Sequence, residues 1–165
     1  TKELELDMAL FQLGDYQGAL DARQKSENIT SVLYPSDSSY SGKELRLKQQ
    51  YFLVAASMQD ILARYKKSNL GGGVMEVHQH LVLQLNDTHP ALAVVEWQRL
   101  LIDQEGLSWT AAWDITTQVF NYTNHTVLPE AMEKWTVSLM ETVRCQAACR
   151  SQATLHLTPG ALACV

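Results

Sequence analysis

Two short stretches crowd together polar side chains whose chemistry exceeds what an ordinary loop needs: QLNDTHP at residues 84–90 and YTNHTV at residues 122–127. Each follows a short apolar run and precedes a helical pattern. In open α/β folds the loops at the carboxyl ends of parallel strands line the ligand crevice, and the next helix turns its amides and positive dipole end toward it. Asn86, Asp87 and His89 in the first stretch, with Asn124, His125 and Thr126 in the second, offer donors and acceptors that can pair with the hydroxyls of a neutral, sugar-like ligand. The same side chains can also serve the backbone. Asp87 or Thr88 can cap a helix with Pro90 in its first turn, and the two loops can bridge each other. Residue types alone leave both roles open.

Other chemistries find less support. His78, His80, His89, His125 and Asp87 could be gathered as metal ligands, but His78 and His80 would lie at the far end of the strand from NDTHP. No histidine pair has the helical spacing of a zinc motif. There is no G-x-S-x-G, P-loop or dinucleotide glycine pattern. Four of the five asparagines, Asn28, Asn86, Asn121 and Asn124, stand in N-x-T triplets, the acceptor signal for glycosylation. Asn86 and Asn124 lie inside dense polar clusters where such residues form caps and turns. Tyr51, Trp97, Trp109, Trp113 and Trp135 fall at helical positions and are expected in the core.

These clusters need elements to carry them. Residues 1–27 read as helix, and residues 28–42, containing YPSDSSYSG, as a loop. From Lys43 to Lys67 apolar residues recur every three or four positions, the pattern of a long helix. Its end is marked by the basic run Arg64, Lys66 and Lys67. Gly71, Gly72 and Gly73 break the pattern. A strand is expected over His80–Leu85, a helix from about Pro90 to Gln104, and a helix over Trp109–Val119 capped by Ser108. A second extended piece precedes TNHT, and a last helix is expected to start near Pro129. Strand, polar cluster and helix thus occur twice.

Composition narrows the partners. With 165 residues, 46% hydrophobic and 19% charged, the chain is long enough for one domain with a substantial core. A net charge of −5 argues against nucleic acid or an anionic membrane as partner. No run of 18 apolar residues is present, and the start TKELELDMALF lacks a signal-peptide pattern and an initiator Met. The chain is therefore expected to begin inside a larger protein. All three cysteines, Cys145, Cys149 and Cys164, fall in the last 21 residues. Their spacing suggests neither a zinc framework nor a disulfide scaffold, and a reducing compartment is the simplest inference.

The segments ENITSVLYPSDSSYSGKELRLKQQYFLVAASMQDIL, QLNDTHPALAVVE and YTNHTVLPEAMEKW resemble the α-1,4-glucan phosphorylases of glycogen and starch, in order and in approximate separation. The resemblance runs from about Phe11 to Thr142. It implies an α/β fold, helix-rich with short parallel strands, that is part of a two-lobed glycosyltransferase. The implied activity is phosphorolysis of a terminal glucosyl unit of glycogen, starch or maltodextrin, giving glucose 1-phosphate. Pyridoxal phosphate is the implied cofactor, bound through a lysine of the other lobe and not by this chain. A cytoplasmic or plastid homodimer under allosteric control is the implied assembly, with the helix near residues 15–27 at the dimer contact.

Carried over by the same resemblance, Asp37 is the acidic residue of a loop that gates the active site, and Tyr40 is that loop's aromatic. Asp37, Ser38, Asp87, His89, Asn124 and His125 are the implied substrate-binding residues, the last two touching the glucosyl unit. No catalytic residue is assigned within the chain. The isolated polypeptide is expected to be inactive, and a glucan-binding or dimer-interaction fragment is the alternative role. Its strands, cut from a larger sheet, could also leave it unstable by itself.

The sequence departs from the family pattern in four places. Ser36 and Ser38 replace residues that are often larger or amide-bearing, the glycine-rich stretch 68–77 is short, and Val95 stands where proline is common. Above all, the resemblance stops after SLMET. Residues 1–142 are thus expected to form part of the amino-terminal lobe. Residues 143–165, with two Arg, no acid and every cysteine, are expected to be a non-homologous tail of the kind produced by a shifted frame or a retained intron.

Overall fold

The computed structural model describes residues 6–68, 71–129 and 132–148. Backbone contacts divide the chain into residues 1–49 and 50–165. In the first unit, α1 (Met8–Gln12) and α2 (Tyr16–Ser31) replace the single expected helix. Gly14 adopts φ +83, a conformation that a side chain would strain, and this divides the two. Asp7 caps α1 through the amides of Ala9 and Leu10, and the Asp15 carboxylate accepts from Gly18 N at 2.9 Å to start α2. α2 extends through Asn28 to Ser31, so the loop is confined to residues 32–39.

Helix α3 (Tyr40–Ser68) contains the expected long helix, and the boundary between the units falls within it. Its start is set by Ser39, whose Oγ accepts from Gly42 N at 3.1 Å. Its second half carries Val54, Met58 and Leu62 into the core of the second unit. Gly71, Gly72 and Gly73 all take positive φ. They lead into a 3-10 segment, Val74–Gln79, whose Val77 is fully buried. This segment takes up His78 and leaves His80 at its end, so these two do not alternate along a strand as expected.

Strand β1 spans Leu83–Asn86, three residues later than its expected start, and pairs in parallel with β2 (Phe120–Thr123). A parallel pair requires a crossover. Here it consists of α4 (Leu92–Arg99), a π-helical turn (Leu100–Gln104) and α5 (Trp109–Val119). α5 and its Ser108 cap match expectation, with Ser108 Oγ accepting from Ala111 N. Trp97, Leu100 and Leu101 from the crossover's first half and Ala112, Ile115 and Val119 from α5 form the core with Leu85.

Trp97 is completely buried and meets Phe120 edge-on with ring centroids 6.5 Å apart. Trp109 and Trp113, by contrast, are about half exposed, so they are not the core residues their spacing suggests. Tyr51 and Trp135 are half-buried. The last helix, α6 (Val137–Ala148), also differs from expectation. Residues 132–136 are non-helical, and α6 starts where Thr136 Oγ1 accepts from Leu139 N. Cys145 falls within α6, and Cys149 and Cys164 lie outside the described residues.

Candidate functional site

The parallel register sets Asn86 opposite Thr123, so both polar clusters emerge side by side at the carboxyl ends of the two strands. The ladder continues one step beyond β1, where Asp87 N donates to Thr123 O at 2.9 Å. Asp87 then turns with φ +60, the left-handed conformation that Asp tolerates better than most residues. This turn brings its Oδ1 within 2.8 Å of His125 N, and the carboxylate accepts that amide hydrogen.

The Asp87 carboxylate therefore bridges two loops and does not cap α4. The N-cap of α4 is Ala91, without a side-chain hydrogen bond, because Pro90 and a turn from Thr88 O to Ala91 N intervene. Thr88 does not cap the helix either, since its hydroxyl donates to Glu133 Oε2 at 3.1 Å. His125 Nε2 lies 3.3 Å from Asn86 Oδ1, a hydrogen bond when that nitrogen carries the proton. Asn124 Oδ1 accepts from Thr126 N at 3.2 Å, the turn-forming role foreseen for it. His89 is half-buried just beyond Thr88, while Asn124 and His125 are exposed.

The structure thus brings Asp87, His89, Asn124 and His125 to neighbouring strand ends as one polar wall. Mutual bridging and an exposed face toward solvent coexist there. Residues that sequence reading left aside also hold this wall. Gln84 Nε2 donates to Thr123 Oγ1 at 2.8 Å, and Gln50 on α3 donates to Glu133 Oε1 at 2.7 Å. No local spacing signals the Gln50 and Glu133 partnership, which spans 83 residues of chain.

Asp37, Ser38 and Tyr40 belong to the first unit. All three are exposed. Ser36 and Ser38 hydroxyls lie 2.9 Å apart, and Ser39 and Ser41 hydroxyls 3.2 Å apart, so the serines tie the segment to itself. A Cβ on Gly42 would overlap the carbonyl oxygen of Ser36, which makes glycine the residue that lets this segment fold back onto the start of α3.

α4 carries a buried ion pair between Glu96 and Arg99, and Tyr51 on α3 hydrogen-bonds to it. Glu96, 2% exposed, accepts two hydrogen bonds from the Arg99 guanidinium, from Nε to Oε2 at 2.9 Å and from Nη2 to Oε1 at 2.7 Å, and Tyr51 OH donates to the same Oε2 at 3.3 Å. Hydrogen bonding to Glu96 raises the pKa of Arg99. Burial, reinforced by the Glu96 charge, raises that of Tyr51 above its ordinary value of 10.0. Among the described residues, no group of three or more His, Cys, Asp or Glu could hold a metal ion.

Comparison with known proteins follows the same lines. The sequence pattern of the carbohydrate phosphorylases matches residues 1–148. Glycogen phosphorylase 2 of Dictyostelium discoideum is 55% identical over 139 residues, which cover 84% of this chain and 14% of that protein. Glycogen phosphorylase of Saccharomyces cerevisiae is 56% identical over 135 residues, 82% of this chain and 15% of the yeast protein. The liver form of human glycogen phosphorylase is 52% identical over 137 residues, 79% of this chain and 16% of the human enzyme. The chain spans about one seventh of the length of the curated relatives it matches. With a family match over most of its length and identities above one half, the chain belongs to the carbohydrate phosphorylase family.

Proposed function

We propose that this chain is part of an α-1,4-glucan phosphorylase and contributes one wall of its glucosyl pocket. The parent enzyme would transfer a terminal glucosyl unit from glycogen, starch or a maltodextrin to inorganic phosphate, releasing glucose 1-phosphate. Asp87, His89, Asn124 and His125 bind sugar hydroxyls, and Asp37, Ser38 and Tyr40 belong to a loop that gates the pocket. The observation that carries this reading is the register of β1 and β2, which brings both polar motifs to one edge. Donors and acceptors held by each other before a ligand arrives lose little freedom on binding. They can favour a developing positive charge on the sugar over its ground state.

Pyridoxal phosphate supplies an acid–base phosphate group in the parent enzyme, and no residue of this chain is assigned to it. We read residues 143–165 as a tail of non-homologous sequence, although the family match extends to residue 148. The parent works as a cytoplasmic or plastid homodimer under allosteric control, with α2 at the contact between subunits. By themselves, the 165 residues bind sugar weakly and do not catalyse phosphorolysis.

The test is calorimetric titration of the chain with glucose and maltopentaose, alongside an assay for phosphate-dependent release of glucose 1-phosphate. Millimolar binding without turnover is expected. Silence at millimolar sugar would remove the binding role. Release of glucose 1-phosphate with the near-ultraviolet absorbance of bound pyridoxal phosphate would overturn the claim of inactivity.

A further inference from the structure

The carboxylate of Glu133 occupies an unusual place beside the wall. It lies in the non-helical stretch before α6, where a helix was expected, and reaches back to two elements at once. Oε1 accepts from Gln50 Nε2 at 2.7 Å, and Oε2 accepts from Thr88 Oγ1 at 3.1 Å. Both bonds are partly buried, where a charge-assisted hydrogen bond gains strength from the lower dielectric. Thr88 is held at its other end too, since its carbonyl accepts from Ala91 N at 3.1 Å. The residue before it, Asp87, is stapled to His125, and the residue after it is His89.

We propose that Glu133 is a positioning residue for the sugar-binding wall, fixing Thr88 against α3 and thereby the orientation of Asp87 and His89 on either side of it. A carboxylate only accepts, so both of its partners must donate. The Thr88 hydrogen is committed to Glu133, and the Thr88 oxygen faces a ligand only as an acceptor. The Gln50 amide is turned the same way, with its nitrogen toward Glu133. Asp87 holds one side of the loop through His125, and Glu133 holds the other. Removing either leaves the turn with one of these two side-chain anchors.

This inference rests on the pocket reading above, and its test separates the two. Amide hydrogen exchange of the full 165-residue chain, followed by NMR, is compared for wild type, Glu133→Ala and Glu133→Gln, with glucose titrated into each. Glu133→Gln can keep both hydrogen bonds once the Gln50 amide turns over, whereas Glu133→Ala loses both. Exchange at the hydrogen-bonded amides of Asp87 and Ala91, which flank Thr88, is expected to speed up by about tenfold in Glu133→Ala and to stay within about threefold of wild type in Glu133→Gln, with α5 amides unchanged in both. Glucose affinity is expected to fall as the Ala91 exchange rises.

Exchange at Asp87 and Ala91 that stays at the wild-type rate in Glu133→Ala would overturn the proposal. So would an equal rise in α5, which would mark a merely global loss of stability. A Glu133→Gln chain as loose as Glu133→Ala would also overturn it, because the two bonds would then not be the cause. If the wild-type chain binds no glucose, the pocket reading falls and the ligand-directed role of Glu133 falls with it, while the exchange rates still report whether the staple exists.

Discussion

Asp87 shows how one side chain can satisfy two demands. Its backbone takes a left-handed turn, and its carboxylate spends that geometry on the His125 amide. Asp and Asn tolerate this conformation because their short polar side chains bond locally, whereas β-branched residues do not. Asp87→Asn keeps an acceptor and the turn, and should change stability by less than about 1 kcal/mol. Asp87→Val loses the bond and adds strain, and should cost roughly 2–4 kcal/mol. Urea denaturation of the two variants checks the contrast, and equal losses would refute a role for the turn. The polar character of this cluster was legible in the sequence. Its choice between cap and bridge was not, because that choice depended on β2 arriving alongside, from more than 30 residues away.

At the scale of elements, α4 carries a charge pair nearly shut off from water, and Tyr51 on α3 hydrogen-bonds to its Glu96. Glu96 and Arg99 are three residues apart on α4, with side-chain exposures of 2% and 12%. Such a pair contributes little net stability over an apolar substitute, but breaking it strands a buried charge. Arg99→Ala should therefore destabilise the chain by about 3–5 kcal/mol, and replacing Glu96 and Arg99 together by Gln and Met should recover much of that loss. A denaturation double-mutant cycle measures both. The helical periods that predicted α3 and α5 were reliable because a buried apolar stripe repeats locally. The break at Gly14 and the non-helical stretch before α6 were not visible in those periods. The first is a backbone conformation, and the second is a stretch in which Glu133 bonds to residues far away in the chain.

At the scale of the molecule, the same buried pair links stability to pH through Tyr51. Burial and the neighbouring Glu96 charge raise its pKa in the folded state, with Arg99 opposing. The folded chain therefore holds the Tyr51 proton more tightly than the unfolded chain. This contribution is fully present below the unfolded value of 10.0 and is lost as pH rises through the higher folded value. Stability should decline above about pH 10 with a slope that Tyr51→Phe reduces, measured by urea midpoints from pH 8 to 11. An unchanged slope in Tyr51→Phe would assign the alkaline loss to other groups.

The sequence by itself determined the family, the long helix α3, the capped helix α5 and the identity of the two polar clusters. Each of these is written in local periods, caps or contiguous motifs, which a chain expresses without reference to distant partners. The tertiary structure alone decided that the clusters meet, that Asp87 bridges and does not cap, that Trp109 and Trp113 stay exposed, and that Glu133 reaches Thr88 and Gln50. Those outcomes depend on the parallel register and on contacts between residues tens of positions apart, where hydrogen-bond geometry and burial are set by the packed whole.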